Sequence, residues 1–334
     1  MFFEPRTLSL ITTRRCTAAC QDCCFRCSPT RSGSIPVARM HQLIEEAAGF
    51  PTLRLVAFTG GECFLLGVAL DAAVRRAHDL GLDTRVMTNG YWAVNRSAAA
   101  VRVRSLQQHG LDELHLSTGA QHEEFVPVER VAFAARAAAE QGLKTSIWVE
   151  ERSNEAYGVE RLIEPLAELV ADGRVSIGRQ RWGAWEDPNS VTTRGCDSVL
   201  TVLSVTPDLD LMACCGFTME STPALRLGSV CELSISEVLA APPDDFLKIW
   251  LHVEGPERIL DFIAEHDPTF VRPAANLETC DACAYLHGDR KAQEVLAREY
   301  EPIVADTLLR FRLLMAAWRR HVSTRARVGV RTHS

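Results

Sequence analysis

The sequence predicts an α/β protein in two parts, a run of strand-helix repeats followed by a smaller α+β extension. Three observations carry that prediction. From residue 7 to about residue 180, β-branched runs alternate with longer segments of helical period; polar clusters fall just after the strands; and beyond residue 180 the pattern changes to a hairpin and helices. Strand, helix, strand repeated about six times makes a parallel sheet with crossover helices. Periodicity leaves a doubly wound sheet and a barrel equally open. The polar clusters favour a barrel, whose chemistry gathers at the C-terminal ends of its strands.

The strands are TLSLIT (7–12), LRLVAFT (53–59), TRVMT (84–88), ELHLS (113–117), TSIWVE (145–150) and RVSIG (174–178). Between them lie VARMHQLIEEAAGF, GVALDAAVRRAHDLG, SAAAVRVRSLQQHG, VERVAFAARAAAEQG and VERLIEPLAELVADG, amphipathic and several closed by a glycine suited to a helix C-cap. RRC, GGE, TNG, STG and EER are the clusters that follow strands. Next come the turn-rich RWGAWEDPNS and then VLTVLSVTPDLDLMACCG, a hairpin whose strands meet at PDLD. A short helix around SISEVLAA, a longer one around FLKIWLHV, a loop holding CDAC and a terminal helix from about 288 to 321 complete the chain. The expected boundaries are 1–182, 183–287 and 288–334.

At 334 residues the chain buries a sizeable core without disulfide staples, and 47 % hydrophobic with 24 % charged residues is an ordinary globular balance. No apolar run approaches the roughly 20 residues of a membrane span, and the opening MFFEPRTLSLITTRR lacks the parts of a secretory signal. The expectation is a cytoplasmic protein without a membrane partner, and a net charge of −7 argues against nucleic acid. In a reducing compartment, 12 cysteines are there for metal or chemistry rather than for pairing.

Cys16, Cys20 and Cys23 follow the first strand with the spacing C-x3-C-x2-C. Three thiolates in one short loop can occupy three irons of a cubane 4Fe–4S cluster and leave the fourth iron without a protein ligand. A structural zinc asks for a closed tetrahedral set, whose usual spacing starts differently. The loop resembles the signature of radical S-adenosylmethionine (SAM) enzymes, and TGGE at 59–62 is similar to that superfamily's second motif. The resemblance implies a partial (β/α)6 TIM-type barrel in which Cys16, Cys20 and Cys23 hold the cluster. SAM would chelate the open iron through its methionine amino and carboxylate groups, and the turn of Gly60, Gly61 and Glu62 would receive the methionine ammonium. Those residue types suit the task, since glycines allow close backbone approach and a carboxylate offsets a positive amine. Two positions depart from the pattern: Asp22 stands where an aromatic residue commonly precedes the third cysteine, and Cys63 where a proline commonly follows GGE.

Cys196, Cys214, Cys280 and Cys283 resemble, in order, the ligands of a twitch subdomain, the shortened form of the SPASM extension. This implies a C-terminal twitch/SPASM-like α+β unit with one auxiliary 4Fe–4S cluster; the set for a second auxiliary cluster is lacking. Four thiolates leave no open iron, so the role implied is electron transfer or structure, and the same four also suit zinc. Cys215 is an alternative to Cys214. Cys24, Cys27, Cys63 and Cys231 are expected as buried thiols, with Cys27 alternatively reaching a substrate.

Asn89 in MTNG and Ser117 in HLSTG end the third and fourth strands, where the resemblance implies cofactor contacts and turn chemistry explains them equally well. Glu150, Glu151, Arg152, Arg179, Arg181 and Trp182 follow the last two strands, some facing the barrel mouth and the others solvated. His122 beside Glu123 and Glu124 reads as helix-end electrostatics rather than a metal site. The basic segment RFRLLMAAWRRHVSTRARVGVRTHS reads as a core-facing helix with a solvated arginine face, the alternative being a surface for an acidic peptide or another anionic partner.

The resemblance implies an enzyme that cleaves SAM reductively to methionine and a 5′-deoxyadenosyl radical, with an electron donor such as flavodoxin or ferredoxin. The radical removes a hydrogen atom from an unactivated C–H bond, and an auxiliary cluster favours net oxidation. Modification or cross-linking of a ribosomally made peptide is the leading expectation, favoured by the long segments between Cys231 and Cys280 and after Cys283. The competing one is dehydrogenation of an aminocyclitol or sugar alcohol in natural-product biosynthesis, favoured by the lack of a leader-recognition segment before the first strand. A non-catalytic iron–sulfur or zinc binding protein would explain neither TGGE nor the vacant coordination position.

Overall fold

The structure, a computed structural model, describes residues 4–152, 159–182, 195–240, 246–273 and 277–329. Six strands run parallel in chain order: β1 (Thr7–Ile11), β2 (Leu55–Thr59), β3 (Asp83–Thr88), β4 (Glu113–Gly119), β5 (Lys144–Arg152) and β6 (Val175–Trp182). Their connections carry α1 (Val37–Ala48), α2 (Val68–Asp79), α3 (Arg96–Gln108), the single turn α4 (Ala120–Glu123), α5 (Val128–Glu140) and α6 (Glu160–Ala171). Strand order decides what periodicity left open. A doubly wound sheet reverses its order partway, whereas consecutive order with right-handed crossovers lays every helix on one face, as in an opened (β/α)6 barrel.

Register shows the two faces. Leu10, Phe58, Val86 and Leu114 stand side by side across four strands, all fully buried. Positions one residue away point to the other face. There Ser9, Ala57 and Arg85 form one row and Met87, His115 and Ser146 another, a mixed surface on which Met87 is 40 % exposed. One face is therefore a dry core and the other a surface suited to polar contacts.

The hairpin expected at PDLD forms and continues the same sheet. β7 (Val202–Val205) pairs parallel with β1, and β8 (Asp210–Met212) and β9 (Arg226–Ser229) follow antiparallel, giving nine strands among the described residues. Six helices follow: α7 (Ile235–Ala240), α8 (Phe246–Glu254), α9 (Pro256–His266), α10 (Thr279–Gly288), α11 (Arg290–Glu299) and α12 (Val304–Gly329). Two expectations need correction. CDAC lies in α10 rather than in a loop, so Cys280 and Cys283 share a helix face one turn apart. The single terminal helix is two, because the Asp289 side chain caps α11 by accepting from the Ala292 amide at 2.8 Å and Pro302 sits in a separate turn before α12. α12 buries Thr307, Phe311 and Met315, four residues apart, in line with a core-facing helix. Among the described residues no helix is long and apolar enough to cross a membrane.

Candidate functional site

The loop after β1 is pinched shut at its base. The Cys16 amide donates to the Ser28 carbonyl at 3.1 Å, Ser28 donates to Arg14 at 3.3 Å, and Arg14 donates to Gly33 at 2.9 Å. Within that neck the Cys23 amide reaches the Cys20 carbonyl and the Arg26 amide reaches Cys23. All the cysteines are free thiols. Cys16 and Cys20 are pushed up by burial, to about 11 and about 12, and each also feels the charge of Cys23. Cys23 is pulled down to about 6, chiefly by a hydrogen bond from the Cys27 thiol, with burial opposing and the Cys27 amide at 3.3 Å assisting.

The glycines of TGGE press on this loop. A Cβ at Gly60 would stand 2.7 Å from the Thr13 carbonyl oxygen, and one at Gly61 only 2.2 Å from that of Arg15. Their absence lets the Gly61 and Glu62 amides donate to Thr13 and Arg15, at 2.7 and 2.9 Å. The close approach is thus to the cysteine loop's own backbone. The Glu62 carboxylate is fully buried and accepts from the Phe64 amide, the Thr88 hydroxyl and the Asn89 amide, all within 3.0 Å. Burial still raises its pKa to about 7, against the pull of those donors. Asn89 then reaches the loop, its Nδ2 donating to Thr17 Oγ1 at 3.1 Å and approaching the Cys16 sulfur at 3.7 Å. Ser117 lies beside it, with its hydroxyl 3.5 Å from the Thr88 carbonyl. The ends of β1, β2, β3 and β4 therefore converge on one loop.

Asp22, which departs from the superfamily's pattern, has a partner that sequence reasoning missed. The Gln121 side chain donates to Asp22 at 2.9 Å and accepts from its amide at 3.1 Å. Glu150 in turn accepts from the Gln121 and His122 amides at 2.7 and 3.1 Å and stands 3.0 Å from His122 Nδ1. Burial pushes the Glu150 carboxyl up, but His122 and these amides outweigh it and hold it below its ordinary value. Glu151 pairs with Arg179 at 2.8 Å. Most of RWGAWEDPNS, and the side chains of Arg152, Arg181 and Trp182, lie outside the described residues.

A second group of thiols forms where the hairpin meets α10. Cys283 is raised by burial and feels the charges of Cys214, Cys196 and Cys280, the four positions singled out from the sequence. Cys215 stands among them as well, within electrostatic reach of Cys214, Cys196 and Cys280, its thiol directed to the Ser198 hydroxyl at 3.8 Å. Lys248 of α8, with no signal in the sequence, is 5 % exposed beside Cys214 and Cys283; burial pulls its ammonium down to about 8 while those thiols oppose. Cys63 and Cys27 are buried as expected, the Cys63 thiol on the Met87 carbonyl at 3.1 Å, whereas Cys24 is half-buried and Cys231 is exposed, against the expectation of buried thiols. Among the described residues no three Cys, His, Asp or Glu side chains are set to hold a single metal ion. A cubane does not ask for that convergence, because each thiolate takes a different iron, so both donor sets fit iron–sulfur clusters in number and kind.

No family model matches the chain. Over 121 residues it is 26 % identical to YydG of Bacillus subtilis (strain 168), whose name provisionally assigns it to peptide biosynthesis. The match covers 36 % of this chain and 38 % of that protein, so it spans under two fifths of the relative's length. Among solved structures the chain is similar to BtrN in complex with AdoMet and 2-DOIA, at 14 % identity and a TM-score of 0.45, covering 74 % of this chain and 87 % of BtrN. It is also similar to native anSMEcpe with bound AdoMet and the Cp18Cys peptide, at 13 % identity and a TM-score of 0.47, covering 91 % and 99 % of the two chains.

Proposed function

We propose, from the premise that the chain is a radical SAM protein, that it is an enzyme acting on a ribosomally made peptide, with net oxidation of its substrate. The observation that supports the cofactor part of this reading is the convergence of TGGE and Asn89 on a loop of three free, neighbouring thiols. Cys16, Cys20 and Cys23 would hold a 4Fe–4S cluster, and Gly60, Gly61, Glu62, Asn89 and Ser117 form the cofactor side of the site. When bound, the cluster and SAM would supply the radical chemistry that activates a substrate C–H bond.

The protein's own part is positional. Asn89 and the neck hydrogen bonds hold the Cys16 end of the loop, the Gln121–Asp22 pair holds its far side, and Cys27 donates to Cys23. Glu62 ties the TGGE turn to β3 through Thr88 and Asn89. Cys196, Cys214, Cys280 and Cys283 would hold the auxiliary cluster, with the buried Lys248 offsetting part of its negative charge. In this reading 1–182 is the catalytic core, 183–287 the auxiliary unit and 288–334 the terminal helix and tail, in a cytoplasmic protein reduced by a flavodoxin or ferredoxin. The name of the Bacillus relative supports peptide over small-molecule chemistry.

Anaerobic reconstitution should load about eight irons per chain, and SAM with dithionite should yield deoxyadenosine. Cys20→Ala should bring the iron count to about four and end deoxyadenosine release. Unchanged release in that variant overturns the assignment.

A further inference from the structure

We propose that Arg26 and Arg31 hold a carboxylate of the substrate in a cavity between the two thiol groups. The proposal rests on the peptide-modifying reading above and names the chemistry its substrate presents. The cavity, of about 440 Å³, opens to solvent. One wall is the cysteine loop, with Arg14, Cys24, Arg26 and Arg31; the other comes from the hairpin region, with Asp208, Phe217 and Glu220. Each wall grows out of a thiol group. Cys24 follows Cys23, and Phe217 follows Gly216, where a Cβ would stand 2.9 Å from the Cys280 sulfur and 3.8 Å from that of Cys214. A segment lying in this cavity is therefore flanked by both candidate cluster sites.

The charges there are unevenly shared. Arg14 is engaged by two carboxylates, Asp208 at 2.6 Å and Glu220 at 3.0 Å, and it bridges the walls. Arg26 and Arg31 are exposed, and among the described residues neither has a carboxylate in ion-pair reach. Asp208 and Glu220 are each paired with Arg14, with one Glu220 carboxylate oxygen buried without a hydrogen-bond partner among the described residues. Arg26 and Arg31 line the same cavity with no acid paired to either, so the lining carries an excess of positive charge that calls for an anion. A planar carboxylate matches a guanidinium fork through two parallel hydrogen bonds, and carboxylates are the anionic groups a peptide carries, on acidic side chains or at its C-terminus.

Fluorescence anisotropy on the anaerobically reconstituted full chain tests this with three rhodamine-labelled peptides: Ala-Glu-Ala-Glu-Ala amide, Ala-Gln-Ala-Gln-Ala amide, and Ala-Gln-Ala-Gln-Ala with a free C-terminal carboxylate. At least one carboxylate peptide should bind about tenfold tighter than the neutral amide, or about 1.4 kcal/mol. Whichever carries the preference identifies the source of the carboxylate. The double variant Arg26→Gln, Arg31→Gln should lose the preference, and Arg298→Gln, on α11 and outside the cavity lining, should keep it. Equal binding of all three peptides, or a preference that survives the double variant, overturns the proposal. Deoxyadenosine release, measured on the same samples, reports separately on the radical reading. Absent there with the carboxylate preference intact, it is that reading which falls and the cavity assignment which stands.

Discussion

Two cations and an imidazole share the carboxylate of Glu113 at the start of β4: Arg85 at 2.6 Å, Lys144 at 2.6 Å and His115 at 3.6 Å. His115 first, then Lys144 and Arg85, hold its pKa well below the ordinary 4.5 against the opposing cost of burial. A carboxyl depressed in the folded state binds fewer protons there than in the unfolded chain, so its contribution is full above the unfolded pKa and fades as pH falls below it. Glu113→Gln should cost about 1 kcal/mol at pH 7, a discounted figure because solvent reaches the cluster. The difference from the native chain should shrink as pH drops below 4.5, and urea unfolding at a series of pH values measures it. A constant difference would assign the effect to packing instead. None of this network was visible in the sequence, because Arg85, Glu113 and Lys144 belong to three strands whose pairing, not their spacing, brings them together.

At the scale of elements, the turn after β2 is a spacer of fixed thickness between strand ends. Gly61→Ala would put a methyl 2.2 Å from the Arg15 carbonyl oxygen, and that oxygen belongs to backbone that cannot rotate away. The variant should lose about 1–3 kcal/mol of stability, as overpacked sites do. Its iron content should fall as well, because Arg15 directly precedes Cys16, and iron assay beside thermal unfolding separates the two effects. The strands and most helices could be read from period alone, since the core face repeats apolar residues two apart on strands and three or four apart on helices. The setting of Cys280 and Cys283 could not. C-x2-C is compatible with a loop and with one helical turn, and only packing against α9 and the Gly216 corner sets α10.

Over the whole molecule, stability rests on the dry face of one sheet. Phe58 of β2 lies fully buried between Leu10 and Val86, so Phe58→Ala should cost about 3–5 kcal/mol, seen as a lower denaturant midpoint with little change in slope. The sequence by itself determined the strand-helix alternation, the cysteine loop after the first strand and the glycine turn after the second, because these depend on local period, spacing and residue chemistry. Tertiary structure alone decided the consecutive strand order and the continuation of the sheet through β7. It also gathered Lys248, Gln121 and Arg14 around the thiols and formed the cavity between two cysteine groups far apart in the chain. Contacts of that kind depend on which surfaces meet once the sheet is assembled, and residues on separate elements leave no local mark of the meeting.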